Sequence, residues 1–213
     1  MYARLLALCC LLSVSAIAGG FKTTTPVAVE LYLKSSGDIS PGVLRQVKAN
    51  LASLLRVAGL QVGWWSVRNQ FSGVDGDLII VNLQGTCDPW APGSDLFPED
   101  PKVLASTAVS DGRVLPFSKL DCRAVNEFLS DSLQTMPGPQ RERVYTRALA
   151  RLVAHEVYHV VTQSTEHMRT GIAKAKVTPD DLIREHFDFD GLLLSEPHPV
   201  EPAPPGQDVE GGR

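Results

Sequence analysis

The stretch from Leu149 to Val161 constrains this chain more than any other. Leu149, Leu152, Val153, Val157, Val160 and Val161 leave it almost no polar stripe at helical spacing. A helix apolar over most of its circumference is buried. Yet this one carries His155, Glu156 and His159. Burying two imidazoles and a carboxylate without partners is costly, so the fold must supply a partner. Residues four apart lie one turn apart on one face, which lets His155 and His159 bind a single metal ion. Glu156 projects about 100° around the helix from His155, where it can reach a water on that ion without displacing it. The H-E-x-x-H pattern is a zinc motif in which the glutamate is the general base. The competing reading is a helix whose His and Glu satisfy one another or face solvent.

A catalytic zinc takes three protein ligands and leaves one position open. His167, eight residues after His159, is the nearest third ligand. The sequence turns polar at Thr162-Gln-Ser-Thr-Glu166, so the helix can end there and the chain fold back. The rivals are acidic: Glu185 on a short terminal helix, and more weakly Asp180 and Asp181. His186 and His198 read as surface residues, and Tyr158 as packing that points away from the ligands.

Around this helix the chain reads as one α+β domain, a twisted mixed β-sheet with packed helices. Pro26–Leu33 alternates and is rich in β-formers, which predicts a strand. Val43, Val47, Leu51, Leu54 and Leu55 mark one face of a helix ending at Gly59, with Ser40 and Pro41 at its start. Leu60–Val67 and Asp77–Leu83 are further strands, and the apolar run of the latter predicts a central position. Residues 85–102 form a long loop. Val103–Val109 and Val114–Phe117 flank Asp111-Gly112, a hairpin turn signal. The first of these strands can offer its edge to an extended peptide, and ordinary sheet structure explains it equally well. Asp121–Leu133 is expected to be a helix, Pro137-Gly-Pro139 a break, and Arg141–Val161 a long helix. Thr178 and Pro179 cap a short terminal helix.

The 213 residues, 44% hydrophobic, are enough for one core. A net charge of -4 without a long basic run argues against a nucleic-acid partner. At the N-terminus one arginine, Arg4, precedes a short apolar run and Ser15-Ala-Ile-Ala18. This reads as a signal peptide over residues 1–18; a membrane anchor is the alternative, for which the run is short. Removal leaves Cys87 and Cys122, expected to form one disulfide in an oxidising compartment, rather than two buried thiols. The Pro-, Gly- and Glu-rich segment from 196 to 213 reads as a disordered tail, leaving 19–195 as the folded domain.

On the residues His155-Glu156-x-x-His159 and His167, followed by Gly171-Ile-Ala-Lys-Ala175, the chain resembles the metzincin clan of zinc peptidases. The likeness is to small bacterial secreted relatives with a lengthened motif. Thr178-Pro-Asp-Asp-Leu182 and Phe187–Leu194 also resemble the ending of that family. The resemblance implies a secreted or periplasmic zinc metalloendopeptidase acting on a peptide or protein substrate, monomeric and without a membrane segment once mature. It implies His155, His159 and His167 as the zinc ligands and Glu156 as the catalytic base. Two positions depart from the family: Gln163 stands where it has a helix-ending glycine, and Ala173 where it has a methionine. The alternatives are a non-catalytic secreted zinc-binding protein and a plain structural domain without metal.

Overall fold

A computed structural model describes residues 27–66, 76–91 and 103–186. The expected signal peptide, the tail from 196 and the Phe187–Leu194 stretch lie outside these residues. The element order is β1 (Val27–Ser35), α1 (Pro41–Val57), β2 (Leu60–Trp64), β3 (Asp77–Gln84), β4 (Ala105–Ser110), β5 (Arg113–Asp121), α2 (Cys122–Gln134), α3 (Gly138–Thr162) and α4 (Pro179–Ile183).

The strands form one five-stranded sheet in the order β2-β1-β3-β5-β4. Neighbours are parallel except β4, which runs antiparallel to β5 at the edge. The fold is thus mixed α+β, and β3 is central, as its composition predicts. Burial departs from that expectation in one respect. Ile79, Val81 and Leu83 are buried, whereas Leu78 is exposed and Ile80 half-buried. The helices cover one face of the sheet, so the apolar run reflects a strand in the middle of a two-layer packing. On β1, Val29, Leu31 and Leu33 face the same core.

That core is closed by α1, through Val43, Val47, Leu51 and Leu55, and by α3, which packs against both α1 and the sheet. Ser40 caps α1 by accepting from the Val43 amide at 3.1 Å. Asp121 ends β5 and caps α2, its carboxylate accepting from the Arg123 and Ala124 amides. α3 begins earlier than the two prolines suggest. Pro137 is its N-cap and Pro139 lies in the first turn, where a missing N–H removes no helical bond. β5 is longer than expected. Pro116 sits where the ladder to β4 is irregular and just before the ladder to β3 begins at Phe117, so the proline breaks no pairing. β2 is shorter than expected, ending at Trp64.

Cys87 and Cys122 form a disulfide, with Cα atoms 4.9 Å apart and a separation of 35 positions in sequence. It joins the segment after β3 to the first residue of α2. Among the described residues no helix is long and apolar enough to cross a membrane.

Candidate metal centre

α3 carries His155, Glu156 and His159 within its last two turns. The helix ends at Gln163, whose backbone is left-handed (φ 51°, ψ 32°). This position would suit glycine, yet Gln163 adopts it and donates its side-chain amide to the Val160 carbonyl at 2.8 Å. The turn sends the chain back across the end of the helix and brings His167 to the two helical histidines. Ring centroids are 4.7 Å apart for His155–His159, 4.8 Å for His159–His167 and 5.2 Å for His155–His167. One ring nitrogen from each lies within 4.8 Å of the others, a grouping able to hold a metal ion.

Hydrogen bonding fixes which nitrogens face inward. His155 Nδ1 lies 2.6 Å from the Ile172 carbonyl and His159 Nδ1 lies 2.7 Å from the Ser164 carbonyl. A carbonyl oxygen only accepts, so each Nδ1 carries the hydrogen. In the neutral rings each Nε2 then presents a lone pair, and the two Nε2 atoms are 3.0 Å apart. Burial pushes His155 down to about 4, assisted by His159 and His167 and opposed by the Ile172 bond. His159 is lowered too, again chiefly by burial. Burial thus disfavours a proton held between the two rings, and the three histidines are grouped closely enough to hold a metal ion.

The segment supplying the Ile172 carbonyl is a tight turn. The Met168 amide bonds the Ala173 carbonyl at 2.9 Å, and Gly171 has a φ of 73° that its lack of a side chain permits. Ile172 and Ala173 are buried, whereas Met168 is 39% exposed. The turn thus meets His155 through the Ile172 carbonyl, with Ala173 buried beside it.

Glu156 is buried, at 3% exposure. Its Oε2 accepts from the Thr107 hydroxyl at 2.6 Å, and that hydroxyl lies 2.9 Å from Ser118 Oγ. Burial raises the Glu156 carboxyl to about 7, against the Thr107 bond, which favours the charged form. Thr107 belongs to edge strand β4, beside an irregularity in its pairing; such bulges re-aim side chains. Glu156, Thr107, Val109 and the three histidines line one cavity of about 230 Å³.

Among the described residues, the rival ligands stand elsewhere. Asp181 pairs with Lys174 at 2.6 Å and with Thr178. Asp180, Glu185 and His186 are exposed and belong to no metal-binding group. His198 lies outside the described residues. Tyr158 is buried as expected, but its ring meets the edge of His159 at 5.4 Å. Thr107 and the Ile172 and Ser164 carbonyls escape sequence reading. A threonine 49 residues from Glu156 has no spacing relation to it, and backbone carbonyls leave no mark in composition. No protein-family model, curated protein or solved structure matches the chain.

Proposed function

We propose that this chain is a secreted zinc-dependent peptidase of metzincin-like type, with His155, His159 and His167 as ligands and Glu156 as general base. The observation that carries the reading is the pair of inward-facing Nε2 lone pairs 3.0 Å apart, each fixed by an Nδ1–H bond to a backbone carbonyl. Such second bonds orient histidines for metal binding. With zinc–nitrogen bonds of about 2.1 Å, tetrahedral ligand nitrogens stand roughly 3.4 Å apart. The observed spread brackets that value. Three imidazoles with an open fourth position are a zinc hydrolase set.

When bound, zinc would lower the pKa of a water to about 7 and polarise a peptide carbonyl. The rest is the work of this chain. Thr107 holds Glu156 Oε2 and leaves Oε1 to take the proton of the attacking water and return it to the departing amine. The outer edge of β4 flanks the same cavity and offers backbone groups to an extended peptide. The disulfide suits an oxidising compartment and the signal-like N-terminus.

Metal content and hydrolysis of a fluorogenic peptide mixture test the reading together. Wild type and Glu156→Gln are expected to hold equimolar zinc, and His155→Ala to lose it, with hydrolysis by wild type alone. Turnover by Glu156→Gln equal to wild type would remove the base. Ala173, where the family has methionine, favours a second reading: a zinc-binding protein without catalysis. Equimolar zinc with no hydrolysis by wild type would select it.

A further inference from the structure

The turn that orients His155 is fastened at its far end. Its Ile172 carbonyl lies 2.6 Å from His155 Nδ1. Two residues on, Lys174 donates from Nζ to Asp181 Oδ2 at 2.6 Å. Asp181 belongs to α4, and α4 is tied to α3 in turn. Arg147 and Arg151, both on α3, donate to the Ile183 and Asp181 backbone carbonyls at 2.7 and 2.9 Å. The Thr178 amide and hydroxyl each donate to Asp181 Oδ2 at 2.8 Å, which fixes the acceptor that Lys174 meets. A path of bonds thus leaves α3 at Arg147 and Arg151, runs through α4 and the turn, and returns to α3 at His155. A cavity of about 310 Å³ is lined by Arg151 and His155 of α3, Ile172 and Lys174 of the turn, and Asp181 and Leu182 of α4. Although Ile172 and Ala173 are buried, side chains do not fill this space, so packing alone does not hold the turn against the helix. The Lys174 and Asp181 side chains are 30% and 13% exposed, and solvent screens such a pair less than one on the open surface.

We propose that the Lys174–Asp181 pair is a strap that positions His155, holding the turn so that the Ile172 carbonyl stays on Nδ1 and Nε2 stays toward the other histidines. Lys174 and Asp181 are positioning residues, because they act through that carbonyl. The proposal deepens the metal-centre reading and rests on it only for zinc affinity. His159 supplies an internal reference. Its Nδ1 meets the Ser164 carbonyl at 2.7 Å, which lies outside the turn that Lys174 fastens.

Exchange of the two Nδ1 hydrogens with water, followed by NMR on metal-free protein labelled at histidine, tests the strap without metal or turnover. Lys174→Met keeps the length of the side chain and removes its charge. It is expected to speed exchange severalfold at His155 and to leave His159 as in wild type, because exchange reports local opening. Lys174→Arg keeps the charge and should return His155 to the wild-type rate. Zinc affinity, measured by chelator competition, should fall about tenfold in Lys174→Met, the low end of what loss of a histidine's outer partner costs, and recover in Lys174→Arg. An unchanged rate at His155 in Lys174→Met overturns the proposal. Equal acceleration at both histidines also overturns it, since a general loosening of the fold would give that result. If His155 alone responds but no form of the chain takes up zinc, the metal-centre reading falls while the strap stands. If wild type takes up zinc and Lys174→Met matches it in exchange and affinity, the strap falls while the metal-centre reading stands.

Discussion

The chemistry of the centre is decided at single atoms. His155 and His159 each keep a hydrogen on Nδ1 because a carbonyl lies opposite, and this turns both Nε2 atoms inward. The pair and Glu156 are legible in sequence because helical spacing is local and exact in number. The acceptors that orient them are not, because they belong to backbone seventeen and five residues further on. Thr107 is equally hidden, yet it holds one carboxylate oxygen of Glu156, the proposed base. Thr107→Val keeps the shape and removes the donor. It is expected to lower kcat about tenfold, less than the roughly hundredfold or more expected from loss of the general base itself, while KM and zinc content stay as in wild type. Steady-state kinetics with metal analysis checks this, and an unchanged kcat would leave Thr107 with packing alone.

At the scale of elements, the return of the chain at the end of α3 decides whether a third histidine can arrive. At Gln163 the chain lacks the glycine best suited to a left-handed backbone, but the turn forms nonetheless. A non-glycine residue there costs roughly 1–2 kcal/mol, partly offset by its bond to Val160. Gln163→Gly is therefore expected to raise unfolding free energy by up to about 1 kcal/mol, since glycine also gains freedom in the unfolded chain. Urea denaturation measures it. The cap of α4 was legible from Thr178 and Pro179, but the sequence does not tell that its Asp181 also binds Lys174. Burial alone would raise the Asp181 carboxyl, but the bonds from Lys174 and Thr178 outweigh it and hold it at about 2. A carboxyl depressed on folding stabilises above its unfolded value, about 3.8, and loses that contribution as pH falls toward about 2. Asp181→Asn should therefore be less stable than wild type at neutral pH, with the deficit shrinking across that acid window. A deficit independent of pH would trace to the cap geometry and not to charge.

For the whole molecule, the long α3 separates the disulfide from the histidine cluster. Glu142, near its start, lines a cavity with Cys87 of the disulfide, and His155 lies thirteen residues further along. At 1.5 Å per residue that is about 20 Å of helix. Sites so far apart with no shared partner act additively on stability. The disulfide closes a loop that the unfolded chain must otherwise order, and its loss is expected to cost about 3–4 kcal/mol. A metal held by the three histidines of the folded state would stabilise it by mass action, more so as its concentration exceeds the dissociation constant. The paired variant Cys87→Ala, Cys122→Ala should therefore melt well below wild type, yet gain from added zinc the same free energy as wild type. His155→Ala should show the reverse, with the disulfide contribution intact and the response to zinc gone. Combining all three substitutions should give the sum of the two losses in calorimetric unfolding. A shortfall or excess larger than about 0.5 kcal/mol would mean that α3 couples its two ends, and that the histidines depend for their placement on the far disulfide.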